Sequence, residues 1–206
     1  MNHRLYLCVE EADFVNFRKV EAALARDPVT RNWVYNGNFD PNTTRTTINS
    51  TAWEEVHLIE VRDPADAEWD EKGAAWEVAG YVYISKDSTH RRYNLGGGIL
   101  EAFRNQGLSQ KIALEVLALC RNSGCEKLET SCWATNDPSR KMLSRHMKLE
   151  GTAREALFDG KTRVDRLVFG LTAPEMDDLL ARHAMPPRLF VRGVESELKQ
   201  TDKERG

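Results

Sequence analysis

The run Tyr93-Asn-Leu-Gly-Gly-Gly-Ile-Leu100 reads as a strand and leads, through Arg104-Asn-Gln-Gly-Leu-Ser109, into a strongly patterned helix. Leu108, Ile112, Val116 and Leu119, with Ala113, Leu117 and Cys120, form one broad apolar stripe that must pack on another layer. Gly124 stands where a C-terminal cap belongs. A helix that begins beside such a loop presents unpaired N–H groups and the positive end of its dipole, which suits a phosphate or pyrophosphate. Taken alone, the loop is equally an ordinary strand-to-helix turn, because short glycine motifs have many false positives.

The order of the downstream elements narrows the choice. Residues 127–133 read as a strand, so a parallel pair is expected around the helix. Asn136-Asp-Pro-Ser139 opens a second helix, with Asp137 suited to the N-cap and Pro138 to the first helical position. Residues 153–158 and 163–171 then flank Asp159-Gly160, a strong hairpin signal.

Upstream, residues 4–9 alternate as a strand, and residues 11–26 form a helix with Phe14, Phe17, Val20, Ala23 and Leu24 on one side. Residues 30–50 are irregular and carry Trp33, Tyr35 and Phe39. Strands are expected over 53–62 and 76–84, joined by an acidic loop. Residues 175–184 form a short helix, which Pro186-Pro187 ends. The expectation is a single mixed α/β (α+β) domain over residues 1–185, a twisted and mostly antiparallel sheet with helices on both faces. A charge-dense extension, partly flexible, occupies residues 186–206.

Composition removes several classes. Charged residues make up 30% of the 206, yet the net charge is only -3, so no basic surface suits a nucleic acid and none is expected as a partner. No apolar run approaches the roughly 18 residues of a membrane span. The start, Met1-Asn-His-Arg-Leu, lacks a signal-peptide layout. A soluble, cytoplasmic protein with no membrane partner is expected. Cys8, Cys120, Cys125 and Cys132 form no C-x-x-C pair and no zinc spacing with histidine. They are expected as reduced, buried thiols, with no metal. The loop also lacks the Gly-Lys-Ser/Thr ending of a nucleotide P-loop and the Gly-x-Gly-x-x-Gly of a dinucleotide fold.

The sequence of loop, helix, strand, Asn-x-x-Ser, helix and hairpin resembles the GNAT superfamily of acyl-CoA-dependent N-acetyltransferases. The resemblance is strongest to the branch of ribosomal-protein N-terminal acetyltransferases. Arg104, Gly107 and Ser109 fill that family's phosphate loop, with Asn105 where many members carry glycine and Ser109 in place of glycine or alanine. Asn136 and Ser139 match the branch's Asn-x-x-Ser. Glu150-Gly151, Arg154, Gly160, Asp165 and Phe169-Gly-Leu171 match its downstream pattern. His146-Met147 departs from the usual Gly-Phe, so the helix exit and one core contact must differ. The similarity covers residues 94–172 and is architectural before that.

The resemblance implies a GNAT-like fold, acetyl-CoA as acyl donor and an amine as acceptor. It implies that the donor lies along the strand holding Gly96, Gly97 and Gly98, none of which has a side chain in the way. Backbone groups of Ile99 and Leu100 would pair with the pantetheine. The loop Asn105-Gln106-Gly107-Leu108-Ser109 would hold the pyrophosphate through its amides, with Arg104 adding positive charge. Asn136 would touch the pantetheine, and Ser139 would donate to the departing thiolate. No general base stands out among Glu60, Glu77, Asp165, Tyr81, Tyr83, His57 and His146. An α-amine with a pKa of about 7.7–8.0 is about a tenth neutral at pH 7, whereas a lysine near 10.4 is almost wholly charged. A protein N-terminal α-amine is therefore the expected acceptor. A small-molecule amine and a non-catalytic CoA-binding or interaction module are the alternatives, and a homodimer stays open.

Overall fold

The computed structural model describes residues 2–8, 11–27, 30, 54–62, 76–158, 161–183 and 189–190. In chain order these form β1 (Asn2–Leu7), α1 (Glu11–Arg26), β2 (Glu54–Arg62), β3 (Glu77–Asp87), β4 (Arg92–Ile99), α2 (Leu108–Asn122), β5 (Lys127–Trp133), α3 (Asp137–His146), β6 (Lys148–Phe158), β7 (Arg163–Thr172), α4 (Ala173–His183) and β8 (Leu189–Phe190). The expected aromatics Trp33, Tyr35 and Phe39, the acidic loop after β2 and Asp159-Gly160 lie outside the described residues.

One sheet runs in the order β6-β7-β5-β4-β3-β2-β1-β8. It is antiparallel except for β4 beside β5 and the two-residue β8 beside β1. Leu189 and Phe190, which the sequence places in the C-terminal extension, thus join the sheet as β8. β6 and β7 pair as the hairpin expected around Asp159-Gly160.

Period-two alternation divides the core into two faces. Leu5 and Ile59 pack with residues of α2 and α4, whereas Tyr6 and Leu58 pack with Phe17, Val20 and Leu24 of α1. Cys132, Leu143 and Phe169 join α3 to the α2 face at β5 and β7. The single stripe expected on α2 is too narrow. Leu114, Glu115 and Ala118 are buried as well, and Arg121 grips Asp177 of α4 through Nε–Oδ1 at 2.7 Å and Nη2–Oδ2 at 3.0 Å. A helix covered by both a sheet and another helix has little free surface. On α1 the expected Ala23 is exposed, while Asp13 and Glu21 are buried.

All four cysteines are free and buried, as expected. Burial, with a smaller contribution from Asp13, pushes the Cys8 thiol up to about 12. No group of three or more metal-ligating side chains occurs among the described residues. No described helix is long and apolar enough to cross a membrane.

Two of the three glycines of β4 also make room for side chains within the protein. A methyl group on Gly96 would collide with the ring of Tyr83, and one on Gly98 would come within 2.8 Å of Leu24. On the α1 face the glycines thus admit the protein's own side chains. Replacing Gly96 with Ala should lower unfolding free energy by about 1–3 kcal/mol in a urea titration, as overpacking does. An unchanged midpoint would contradict that packing.

Two strands away on β2, His57 and then Lys86 hold the Glu55 carboxyl down at about 2, against burial. The His57 Nε2 contact is long, at 3.5 Å, and neither ring nitrogen has a hydrogen-bond partner. The Lys86 ion pair is the firmer cause. Because the folded value is depressed, this stabilisation is complete above the unfolded value of 4.5 and is lost as pH falls towards 2. The stability gap between wild type and Glu55→Gln should therefore be largest near neutral pH and close across that window.

Candidate active site

β4 and β5 pair only from Arg92↔Lys127 to Leu95↔Thr130. Beyond that point β4 stays with β3 as far as Ile99↔Gly80, and β5 stays with β7 as far as Trp133↔Arg166. The Thr130 hydroxyl donates to the Leu95 carbonyl at 2.9 Å and closes the base of the fork. Buried backbone groups need partners, so a fork of this kind invites a ligand that can serve as a strand.

Ladder alternation identifies which groups look into it. The Leu100 amide donates to the Ala79 carbonyl at 2.8 Å, which turns the even-numbered residues of β4 towards β3. The odd residues, Gly97 and Ile99, therefore face β5 across the gap. The Leu100 amide donates to Ala79, and its carbonyl accepts from Phe103 at 3.0 Å. Ile99 keeps its amide for the fork, while its carbonyl accepts from Arg104 Nε at 3.0 Å. Sequence reasoning puts Gly96, Gly97 and Gly98 along the donor but cannot say which of them faces β5, because register cannot be read from a run of glycines.

At the mouth of the fork, α2 begins at Gly107 with no side-chain cap. Gly107 has φ +73° and nothing near its Cα, so backbone conformation rather than crowding demands glycine there. Asn105, at φ +62°, is also left-handed. Asparagine tolerates that region better than most residues, which explains how it replaces the family's glycine. Asn105, Gln106, Gly107 and Ser109 are exposed, and Leu108 is buried as the anchor of the first turn.

Arg104, expected to add positive charge beside the pyrophosphate, is ion-paired within the fold. Its guanidinium pairs with Asp27 and donates to Thr30 Oγ1 at 2.5 Å, and Thr30 in turn donates to Asp27. Its charge is offset by that carboxylate. The side chain fastens the loop to the end of α1.

Across the fork, Asn136 is the N-cap of α3, where the sequence favours Asp137. Asn136 Oδ1 accepts from the Ser139 amide at 3.1 Å. Asp137 instead binds Arg140 at 2.6 Å. Burial pushes the Cys132 thiol of β5 up, and the nearby Ser139 side chain offsets part of that rise. Ser139 and Asn136 are thus brought to the diverging end of β5. At the far end of α3, Met147 donates to the Leu143 carbonyl at 2.8 Å and packs against the core, while His146 meets His183 edge-on at 5.9 Å.

Three of the residues weighed as bases, none of which the sequence singles out, have partners within the fold. Glu60 accepts from Arg4 Nε at 2.6 Å. Asp165 Oδ1 accepts from the Glu155 amide at 2.8 Å, across a bulge where Glu155 has φ +51°. Tyr81 lies edge-on beneath Phe17, with ring centroids 4.8 Å apart.

A search of known families and structures agrees with this geometry. The acetyltransferase (GNAT) family profile matches residues 33–147, more than half of the chain. RimL, a ribosomal L7/L12 alpha-N-protein acetyltransferase solved with coenzyme A, is 14% identical with a TM-score of 0.65, covering 84% of this chain and 94% of that one. RimJ from Mycobacterium smegmatis, solved with CoA-disulfide, is 16% identical with a TM-score of 0.63, covering 89% and 95%. An N-acetyltransferase from Staphylococcus aureus Mu50 is 14% identical with a TM-score of 0.59, covering 84% and 99%. At such identities the likeness is one of fold. No curated protein matches the sequence. The family profile, lying across the fork and the uncapped helix, places the chain in the GNAT family of acetyltransferases, which use acetyl-CoA as acyl donor.

Proposed function

We propose that the protein transfers an acetyl group from acetyl-CoA directly to a primary amine, and that the amine is the α-amine of a protein N-terminus. The observation that carries this reading is the fork between β4 and β5, with an uncapped helix start at its mouth. The pantetheine would lie as a strand in the fork, bonded to the inward backbone groups of Gly97 and Ile99. The amides of residues 105–109 at the start of α2 would hold the pyrophosphate, where exposed N–H groups and the helix dipole favour an anion. Asn136 would turn its amide group, whose oxygen already caps α3, towards the pantetheine.

The reaction needs a neutral nucleophile and a stabilised leaving thiolate. An inward amide of β4 can hold the developing oxyanion, an effect worth about 3–4 kcal/mol in other acyl transfers. Ser139 sits at the other arm of the fork, near the Cys132 thiol, and would donate to the departing sulfur there. The acceptor preference rests on amine acidity. An α-amine loses its proton near neutral pH far more readily than a lysine does. The RimL-like fold agrees with that preference.

Incubation with acetyl-CoA and a panel of peptides with free and blocked N-termini, beside small amines, tests the acceptor. Mass spectrometry should find acetyl groups on free α-amines. Labelling confined to small amines would reject the N-terminal reading. Ser139→Ala should lower kcat about 100-fold, in the range typical of a lost proton donor, with CoA affinity retained. Turnover equal to wild type would leave Ser139 only its place in the first turn. Asn136→Ala should cost about 1 kcal/mol of stability through the lost cap, measured by denaturant titration, and should also weaken CoA binding. A cap loss with CoA affinity intact would remove Asn136 from the donor site.

A further inference from the structure

His146-Met147, where this chain departs from the family's Gly-Phe, stands at the end of α3 and has no part in the fork. Both residues line a cavity of about 350 Å³, within the range of about 300–1,000 Å³ usual for small-molecule sites. Leu171, which also lines it, pairs with Leu128 of β5, on the closed side of the Leu95↔Thr130 pair where the fork begins. α3 starts at the fork and ends at the cavity, and its 10 residues span about 15 Å. The cavity therefore lies apart from the fork.

Both carboxylates at the cavity are already engaged. Glu175 of α4 pairs with Lys148 and accepts from the Thr172 amide at 2.9 Å and hydroxyl at 3.0 Å. Asp178 pairs with Arg182 at 2.9 Å. Arg145, by contrast, lines the cavity with no hydrogen bond or ion pair among the described residues. His183 at the end of α4 meets His146 edge-on, with ring centroids 5.9 Å apart. An unpaired guanidinium thus stands beside two imidazoles. Burial first, then His183, Arg145 and Arg182, hold His146 below the ordinary histidine range. Surroundings that discourage a proton on the ring invite an anion, and an anion there lets the ring take its proton. Basic residues in the last turns of α3 and α4 also complement the helix dipoles. That role needs no ligand and would leave Arg145 indifferent to anions.

The geometry points to this cavity as a second binding site, for the phosphate group of a small solute, held between Arg145 and the His146–His183 pair. A guanidinium fork matches a tetrahedral oxyanion bidentately. The donors come from the ends of two helices, and such an anion can turn a separate oxygen to each. The groups facing His146 are Arg145 on its own helix, His183, Arg182, Glu175 and Asp178 on α4, and Lys148 on β6. With both carboxylates paired, anion and proton bind together at His146, so affinity rises as pH falls. The site does not depend on which amine the protein acetylates.

Sulfate is the probe, because it keeps both charges while histidine titrates from about pH 6 to about pH 8. Imidazole proton NMR follows its titration at constant ionic strength, with and without saturating CoA, which fills the helix start at the fork. Sulfate should move the His146 and His183 signals saturably, raise the His146 titration midpoint, and bind about tenfold more tightly at the lower pH. The response should be the same in both arms, so the test stands even if the donor reading fails. Arg145→Gln, at an exposed position, should weaken sulfate about tenfold. Arg145→Lys, which keeps the charge without the fork, should lie between. His146→Asn should still bind sulfate but lose the pH dependence. Competition by inorganic phosphate and by glycerol phosphate then separates a free ion from an organic phosphate. Chloride moving the same signals as far, Arg145→Gln binding as tightly as wild type, or CoA abolishing the His146 response would each overturn the assignment.

Discussion

The parting of β4 from β5 after Leu95 and Thr130 is the constraint on which the rest of the site depends. Each strand is held on its outer side, β4 by β3 and β5 by β7, so neither can swing across to close the gap. The Thr130–Leu95 hydrogen bond satisfies the last carbonyl at the base of the fork. Beyond it, the inward groups of Gly97 and Ile99 have lost their strand neighbour. An extended ligand with amides of its own restores the missing ladder, which is how a pantetheine arm differs from most small molecules.

The loop at the mouth is fixed from two directions. Arg104 ties it to Asp27 and Thr30 at the end of α1, and Leu108 anchors the first turn of α2 in the core. α2 is in turn covered by α4, through Met176 and Leu179 and the Arg121–Asp177 pair. That pair is largely exposed and adds little stability by itself, so burial of the apolar residues carries the packing. The result is a helix start that needs little rearrangement to meet an anion, and preorganisation of this kind lowers the cost of binding.

Much of this architecture is legible in the sequence. The period of the apolar residues reveals α2 and its flanking strands, and the hairpin and the Asn-x-x-Ser start of α3 also stand where expected. Features that depend on a partner brought from far away in the chain cannot be read in the same way. That Arg104 is held by Asp27, 77 residues earlier, is one such feature. That Gly96 and Gly98 of β4 give room to Tyr83 and Leu24 on the α1 face is another. The burial of Asp13 and Glu21 stays hidden because polar residues on an amphipathic helix are assigned to solvent by default, whereas tertiary packing decides which flank is covered. Asp137 and Asn136 are both good N-caps, and propensity does not separate them.

Backbone amide exchange at single-residue resolution, with and without CoA, reads the fork directly. If the donor lies as a strand between β4 and β5, the amides of Gly97 and Ile99 slow markedly on binding, while those of Gly96 and Gly98, already bonded to β3, change little. Equal protection along Gly96–Ile99, or none at Gly97 and Ile99 in a protein saturated with CoA, would contradict the account.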